Sequence, residues 1–231
     1  MREKASIRAV DVVPAPVLWL WLRRIPAGMI SLVAGLPGTG KSLFGCFLAA
    51  KVSQSADVIF ATREDLLRQV ARPRLEAAGA DLRRVHFYSP DLPEDTAALE
   101  QEIRRHRAKL VIIDPVAAHL SVPIHDDQAV RRALSPLADI AERTGCAIVL
   151  ISHTIKSVRS GAHPLDAIGG SGGGLRAAAR VAYIFGVNPE DADERVLAPA
   201  KSNIGPERKS FLFELDVVEQ ATTTTRTVSA I

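Results

Sequence analysis

Eight apolar runs of strand length punctuate the chain, at 29–34, 57–61, 85–88, 110–114, 147–152, 181–185, 195–200 and 211–215. Between the first five lie segments at 45–53, 66–78, 96–108 and 128–144 with an apolar residue every three to four positions, the spacing of a helix face. Strand–helix alternation of this kind predicts a parallel sheet, because a crossover of helix length is what returns the chain to the same end of the sheet. The strands are apolar without alternation, so both faces of the sheet should be covered. The last three runs have no helices between them and are separated by turn-forming stretches at 188–194 and 204–207. They predict a mixed or antiparallel C-terminal extension. The fold class is therefore α/β: a mostly parallel central sheet with helices on both faces, followed by that extension. We divide the chain into an N-terminal arm at 1–28, one domain at 29–220, and a threonine-rich end at 221–231 that forms either a last edge strand or a frayed tail. Trp19 and Trp21 in the arm are expected to pack on the sheet edge.

The first of these strands runs straight into Gly35, Leu36, Pro37, Gly38, Thr39, Gly40, Lys41 and Ser42, with Leu43 following as the next helix begins. A glycine, four free positions and then Gly-Lys-Ser, placed between a strand and a helix, is a phosphate-binding loop. Its backbone N–H groups point inward and the helix that follows turns its positive end on the same spot, so the pocket suits the polyphosphate of a nucleotide. Lys41 is positioned to reach the β- and γ-phosphates. The Ser42 hydroxyl is positioned to ligate a Mg²⁺ ion that keeps most of its waters. ATP and Mg²⁺ are thus the expected cofactors.

Composition narrows the setting without deciding the function. The chain has 231 residues, 47% hydrophobic and 24% charged, enough for one substantial core. A net charge of +3 and a pI near 9.1 permit a nucleic-acid partner and do not require one. Cys46 and Cys146 are far apart in sequence and are read as buried thiols. No apolar run approaches the ~20 residues that cross a bilayer and the first residues lack a signal-like apolar segment, so no membrane partner and a cytoplasmic location are expected.

Further polar groups sit where an open α/β sheet binds ligands, at the carboxyl ends of strands. Asp114 closes the buried strand LVIID and is the candidate magnesium-positioning acid, although a carboxylate before Pro115 could also serve as a turn cap. His153 ends the strand at 147–152, where an imidazole can bond the γ-phosphate and report its loss, or simply start a loop. Glu64 and Asp65 follow the strand at 57–61. Either is a plausible acid for a first helical turn, but hydrolysis needs a group to orient water, and Glu64 is assigned that role. Asp126 and Asp127 are read as caps of the helix at 128–144.

The order of these features resembles a RecA-like P-loop ATPase, in the branch of RepA-type hexameric replicative helicases and their AAA-family relatives. The landmarks span nearly the whole chain: RIPAGMISLVAGLPGTGKS at 24–42, Glu64-Asp65, LVIIDP at 110–115, LISHTIKS at 150–157, GGSGGGLRAAAR at 169–180 and APAKSNIGP at 198–206. The resemblance implies that Glu64 is the catalytic glutamate, Asp114 the magnesium acid and His153 the γ-phosphate sensor, with the His153 strand lying between those of the phosphate loop and Asp114. It also implies that Arg180 is an arginine finger and Lys201 its companion, both acting on a neighbouring subunit's nucleotide. Read by position alone, these two would be surface charges. The loop at 155–174 holds Lys156 and Arg159 and six of the fifteen glycines. By resemblance it lines the pore of a ring and grips single-stranded DNA through its phosphates, with the loop at 117–125 and its His119 and His125 as companion; read from composition alone it is an active-site lid.

These features together predict a Mg²⁺-dependent ATP hydrolase that forms a homo-oligomer, expected as a six-membered ring, and moves on single-stranded DNA in plasmid, phage or mobile-element replication. Nothing in the chain matches the separate N- and C-terminal domains of the full helicases, which leaves processive unwinding outside what the resemblance implies. An ATP-dependent DNA-binding switch or recombination mediator, and an ATP-gated module that binds protein, share the same nucleotide site.

Overall fold

The structure, a computed structural model, describes residues 6–154, 168, 172–205, 209–220 and 224–230. A short hairpin, β1 (Trp19–Trp21) and β2 (Ile25–Pro26), precedes the main fold. There follow β3 (Ile30–Gly35), α1 (Lys41–Ser53), β4 (Val58–Thr62), α2 (Arg72–Ala77), β5 (Val85–Phe87), α3 (Thr96–His106) and β6 (Leu110–Asp114). The chain continues through α4 (Asp127–Thr144), β7 (Ala147–His153), α5 (Gly172–Ala178), β8 (Val181–Val187), β9 (Glu194–Ser202), β10 (Phe211–Glu219) and β11 (Thr224–Ala230).

Among the described residues these strands form a nine-stranded sheet in the order β11-β10-β9-β8-β3-β7-β6-β4-β5. From β8 to β5 every pairing is parallel; from β8 to β11 every pairing is antiparallel. This is the α/β architecture expected, with β7 inserted between β3 and β6.

The unbroken apolar runs follow from burial on two sides. Ile30, Leu32, Ile59, Val111, Ile113, Ile148 and Leu150 face a core closed by α3, α4 and α5. Their neighbours Val33, Phe60, Ile112, Val149 and Ile151 face a second core closed by α1 and α2. Helix α1 is buried almost all round, from Leu43 to Ala50, because β11 packs across its outer side as well. Trp21 joins this second core, edge-on to Phe47, Phe211 and Phe213.

Two local departures from the expected pattern have visible causes. The helix expected at 66–78 opens as a π turn, Leu67–Ala71, before α2. Pro73 cannot donate to the carbonyl four residues back and its ring needs room there, which the wider turn supplies. Asp126 caps α4 by accepting from the N–H groups of Gln128 and Ala129, at 3.0 and 2.9 Å. Asp127 does something else: its carboxylate accepts from the Gly174 N–H at 2.9 Å, so it holds the start of α5 to the start of α4.

Candidate functional site

The loop between β3 and α1 is fixed by backbone requirements that only glycine meets at two places. A Cβ on Gly35 would lie 2.0 Å from the Phe185 carbonyl oxygen, and Gly40 holds φ at +95°, the left-handed region. Thr39 ties the loop together, its Oγ1 donating to the Leu36 carbonyl at 2.9 Å. Lys41 is the first residue of α1, and its buried ammonium rests on the same carbonyl at 2.8 Å.

Strand register brings the other polar groups to this loop. Gly35 stands opposite His153, and Thr62 opposite Asp114, so β3, β7, β6 and β4 all end on one rim. There a cleft of about 790 Å³ is lined by Lys41, Ser42, Glu64, Asp65, Asp114 and His153. Asp114 is 5% exposed and its carboxylate accepts from the Ser42 hydroxyl. Burial raises its pKa to about 6 despite that bond; the nearby Asp65 and Glu64 push in the same direction, while Lys41 opposes them. The Lys41 pKa is lowered, chiefly by desolvation against the pull of Asp114 and Glu64. His153 is exposed at the rim, and its pKa is lowered by desolvation and then by the Lys41 charge, so the imidazole is neutral at pH 7.

The two acids after β4 separate in role. Asp65 is held by Arg74 at 2.6 Å. Glu64 is exposed on the cleft, and among the described residues no ion pair engages it.

Arg180 and Lys201 lie elsewhere. The Arg180 N–H donates to the carbonyl of Ile30, the first residue of β3, whereas the phosphate loop begins at the last residue of that strand. The intervening strand spans about 17 Å. Lys201 pairs across the sheet with Ala182, at the same distant end. Its ammonium donates to the carbonyls of Arg176 and Ala179 at 2.5 and 2.7 Å, closing the end of α5 immediately before Arg180. Burial lowers the Lys201 pKa, with Arg180 and Arg176 acting in the same direction. Neither cation reaches the phosphate loop of its own chain. Lys156 and Arg159 fall outside the described residues, as does most of the loop that carries them. In the companion loop His119 is fully buried with Nδ1 on the Pro90 carbonyl at 2.9 Å, so only His125 is exposed there. Cys46 and Cys146 are buried, and burial raises both thiol pKa values, that of Cys146 to about 12.

Sequence reasoning missed part of the cleft. Arg195, 8% exposed, donates from Nε to the Thr39 carbonyl at 3.0 Å and from Nη1 to the carbonyls of Ala192 and Glu194, both at 2.8 Å. It braces the phosphate loop from the start of β9. The C-terminal hairpin supplies a wall through Leu215, Val217, Thr224, Thr225 and Arg226. No sequence signal marks either, since both depend on strands far along the chain curling back over α1.

The residues present fit a nucleotide with its magnesium ion. Gly38 and Gly40 of the loop line the open cleft, and one hydroxyl beside one carboxylate is the sparse oxygen donor set that Mg²⁺ accepts. A buried carboxylate with a raised pKa is also a group that a cation would relieve. The fold takes up a proton on Asp114 between the ordinary value of about 4 and its own value of about 6, so its contribution to ligand-free stability is lost as pH rises through about 6. Magnesium nucleotide binds the ionised form and should have the opposite trend. Thermal melts from about pH 5 to 8 are expected to show a gain in midpoint from Mg·ATP that grows through pH 6, and Asp114→Asn should flatten it.

The profile of the AAA domain family matches residues 1–158. No curated protein matches the chain. Among solved structures, the crystal structure of a KaiC-like protein from the hyperthermophilic archaeon Pyrococcus horikoshii superposes with a TM-score of 0.63 at 17% identity, covering 88% of this chain and 96% of that one. At that identity the likeness speaks to the fold alone.

Proposed function

The chain belongs to the AAA domain family, and from that premise we propose that it is a RecA-like ATPase that works as a Mg²⁺-dependent ring motor on single-stranded DNA, with sites completed between subunits. The observation that supports this reading is that Arg180 and Lys201 lie about 17 Å along β3 from their own phosphate loop, out of reach of a nucleotide bound there. Within one chain these cations have no nucleotide to act on. In a ring, Lys201 fixes the end of α5 and thereby aims Arg180 at the phosphates of the next subunit, where positive charge is needed as the γ-phosphoryl group departs.

Each group in the cleft then has one task. Glu64 orients and polarises the water that attacks in line. Lys41 meets the charge on the β- and γ-phosphate oxygens, and Ser42 with Asp114 holds the metal ion. When bound, that ion neutralises charge on the phosphate oxygens. Neutral His153 donates a hydrogen bond toward the γ-phosphate, and its loss after hydrolysis is passed to the segment beyond Thr154 that carries Lys156 and Arg159. No helix among the described residues is long and apolar enough to cross a membrane.

The test is the ATPase rate with and without single-stranded DNA at several salt concentrations, with oligomeric state measured in parallel. We expect stimulation that falls with salt and appears only in the oligomer. Lys156→Ala with Arg159→Ala should abolish the stimulation and leave the basal rate. Unchanged stimulation in that variant would remove the DNA motor, and ATP-dependent DNA binding without directional movement would identify a switch instead.

A further inference from the structure

A second cluster of ligating side chains lies at the opposite end of the sheet from the phosphate loop. Asp57 precedes β4, His86 is the middle residue of the edge strand β5, and His106 is the last residue of α3. One donor atom from each falls within 4.8 Å of the others. His86 Nε2 lies 2.9 Å from Asp57 Oδ2, His106 Nε2 lies 3.2 Å from Glu102 Oε2, and the two imidazoles stack with centroids 3.7 Å apart. The backbone holds the arrangement, because the Lys109 N–H beyond α3 donates to the Asp57 carbonyl at 2.9 Å.

We propose that Asp57, His86 and His106 form a binding site for a borderline transition-metal ion of the Zn²⁺ class, with Glu102 orienting His106 from behind. Two imidazole nitrogens and one carboxylate are donors such ions take, leaving a fourth position to water. Metal bonds of about 2.0–2.1 Å separate adjacent tetrahedral donors by about 3.3 Å. The Asp57–His86 spacing is close to that bite, and a donor nitrogen of His106 lies within 4.8 Å of both. All four side chains are 21–29% exposed, so an ion can enter from solvent without opening the fold. A carboxylate behind a ligating histidine is the usual means of fixing its orientation. Thr62, at the far end of β4, is about 17 Å from Asp57, and Glu64 lies beyond it, so the site is separate from the nucleotide cleft. Its ligands come from three elements, and its effect would be to staple the exposed edge strand β5 to β4 and α3.

The experiment uses the full untagged chain, stripped with chelator, in excess Mg²⁺ so that all-oxygen sites are filled. Titration with Co²⁺ should give the visible bands of a tetrahedral ion at one per chain, displaced by Zn²⁺, and Zn²⁺ should raise the melting midpoint. His86→Ala and His106→Ala should each weaken binding by at least about 100-fold and Glu102→Gln by about 10-fold, with ATPase activity kept. Tetrahedral bands that persist unchanged in His86→Ala/His106→Ala would overturn the proposal, as would their absence in the wild-type chain. A measurement that needs no variant guards against misfolding: Zn²⁺ should protect His86 and His106 from acylation by diethyl pyrocarbonate, read by mass spectrometry, and equal labelling with and without Zn²⁺ would refute the site.

Discussion

Lys41→Ala should lower ATP turnover by about 10²–10³-fold, the cost typical of removing one preorganised donor from a developing phosphoryl or acyl oxyanion. The side chain is 5% exposed, on the floor of a cleft that also holds Glu64, Asp65 and Asp114. Its charge therefore does two things: it meets the phosphate oxygens, and it offsets three carboxylates that would otherwise repel the same ligand. In the ligand-free protein the ammonium rests on the Leu36 carbonyl at 2.8 Å, a neutral acceptor that it can exchange for charged phosphate at little cost. Removing it should raise KM for ATP as well as lower kcat, since both ground state and transition state carry the phosphates it touches. Steady-state kinetics with a fluorescent nucleotide titration check both effects. Wild-type kcat in Lys41→Ala would mean that this loop does not hold the reacting phosphates.

How much of this site is legible in sequence depends on whether a residue's role is set locally or by the fold. Gly35, Gly40, Lys41 and Ser42 are legible because a phosphate loop imposes fixed backbone requirements within eight positions. Asp114 is legible for a related reason: a carboxylate that ends a strand buried on both faces has few structural uses. The strands are legible because burial on two faces leaves no polar alternation to confuse with a helix. Arg195 is not, since its contact with Thr39 spans 156 residues and exists only once β8 and β9 pair. The wall formed by Thr224, Thr225 and Arg226 is hidden similarly. A threonine-rich end looks alike as strand or tail until β10 offers it an edge and α1 an apolar surface. Asp127 misleads for the opposite reason: its position at the start of α4 suffices for a cap, and only the fold shows its carboxylate spent on Gly174.

Glu64→Gln should leave ATP binding intact and cut hydrolysis by about 10²–10⁴-fold, the range over which a positioned general base contributes. The substitution keeps the side chain's size and one acceptor oxygen while removing the charge that polarises water. Asp65 is the natural competitor, being adjacent and also on the cleft, and the structure distinguishes the two by their partners. Asp65 spends its charge on Arg74 at 2.6 Å, both groups being less than one-third exposed, so Asp65→Asn should loosen α2 and lower the melting midpoint modestly while hydrolysis continues. Glu64 lies near enough to Lys41, Asp114 and His153 to bear on their titration, which is the ground for proposing it, and not Asp65, as the base. Removing that charge should lower the Asp114 pKa, because one of the acids raising it is gone. The same variant should therefore bind Mg²⁺·ATP at least as tightly as the wild type near pH 6 while failing to turn it over. Binding measured by calorimetry beside single-turnover hydrolysis separates the outcomes. Weakened binding at unchanged turnover would make Glu64 a ligand-positioning acid, and unchanged turnover with unchanged binding would pass the base role to another group on the rim.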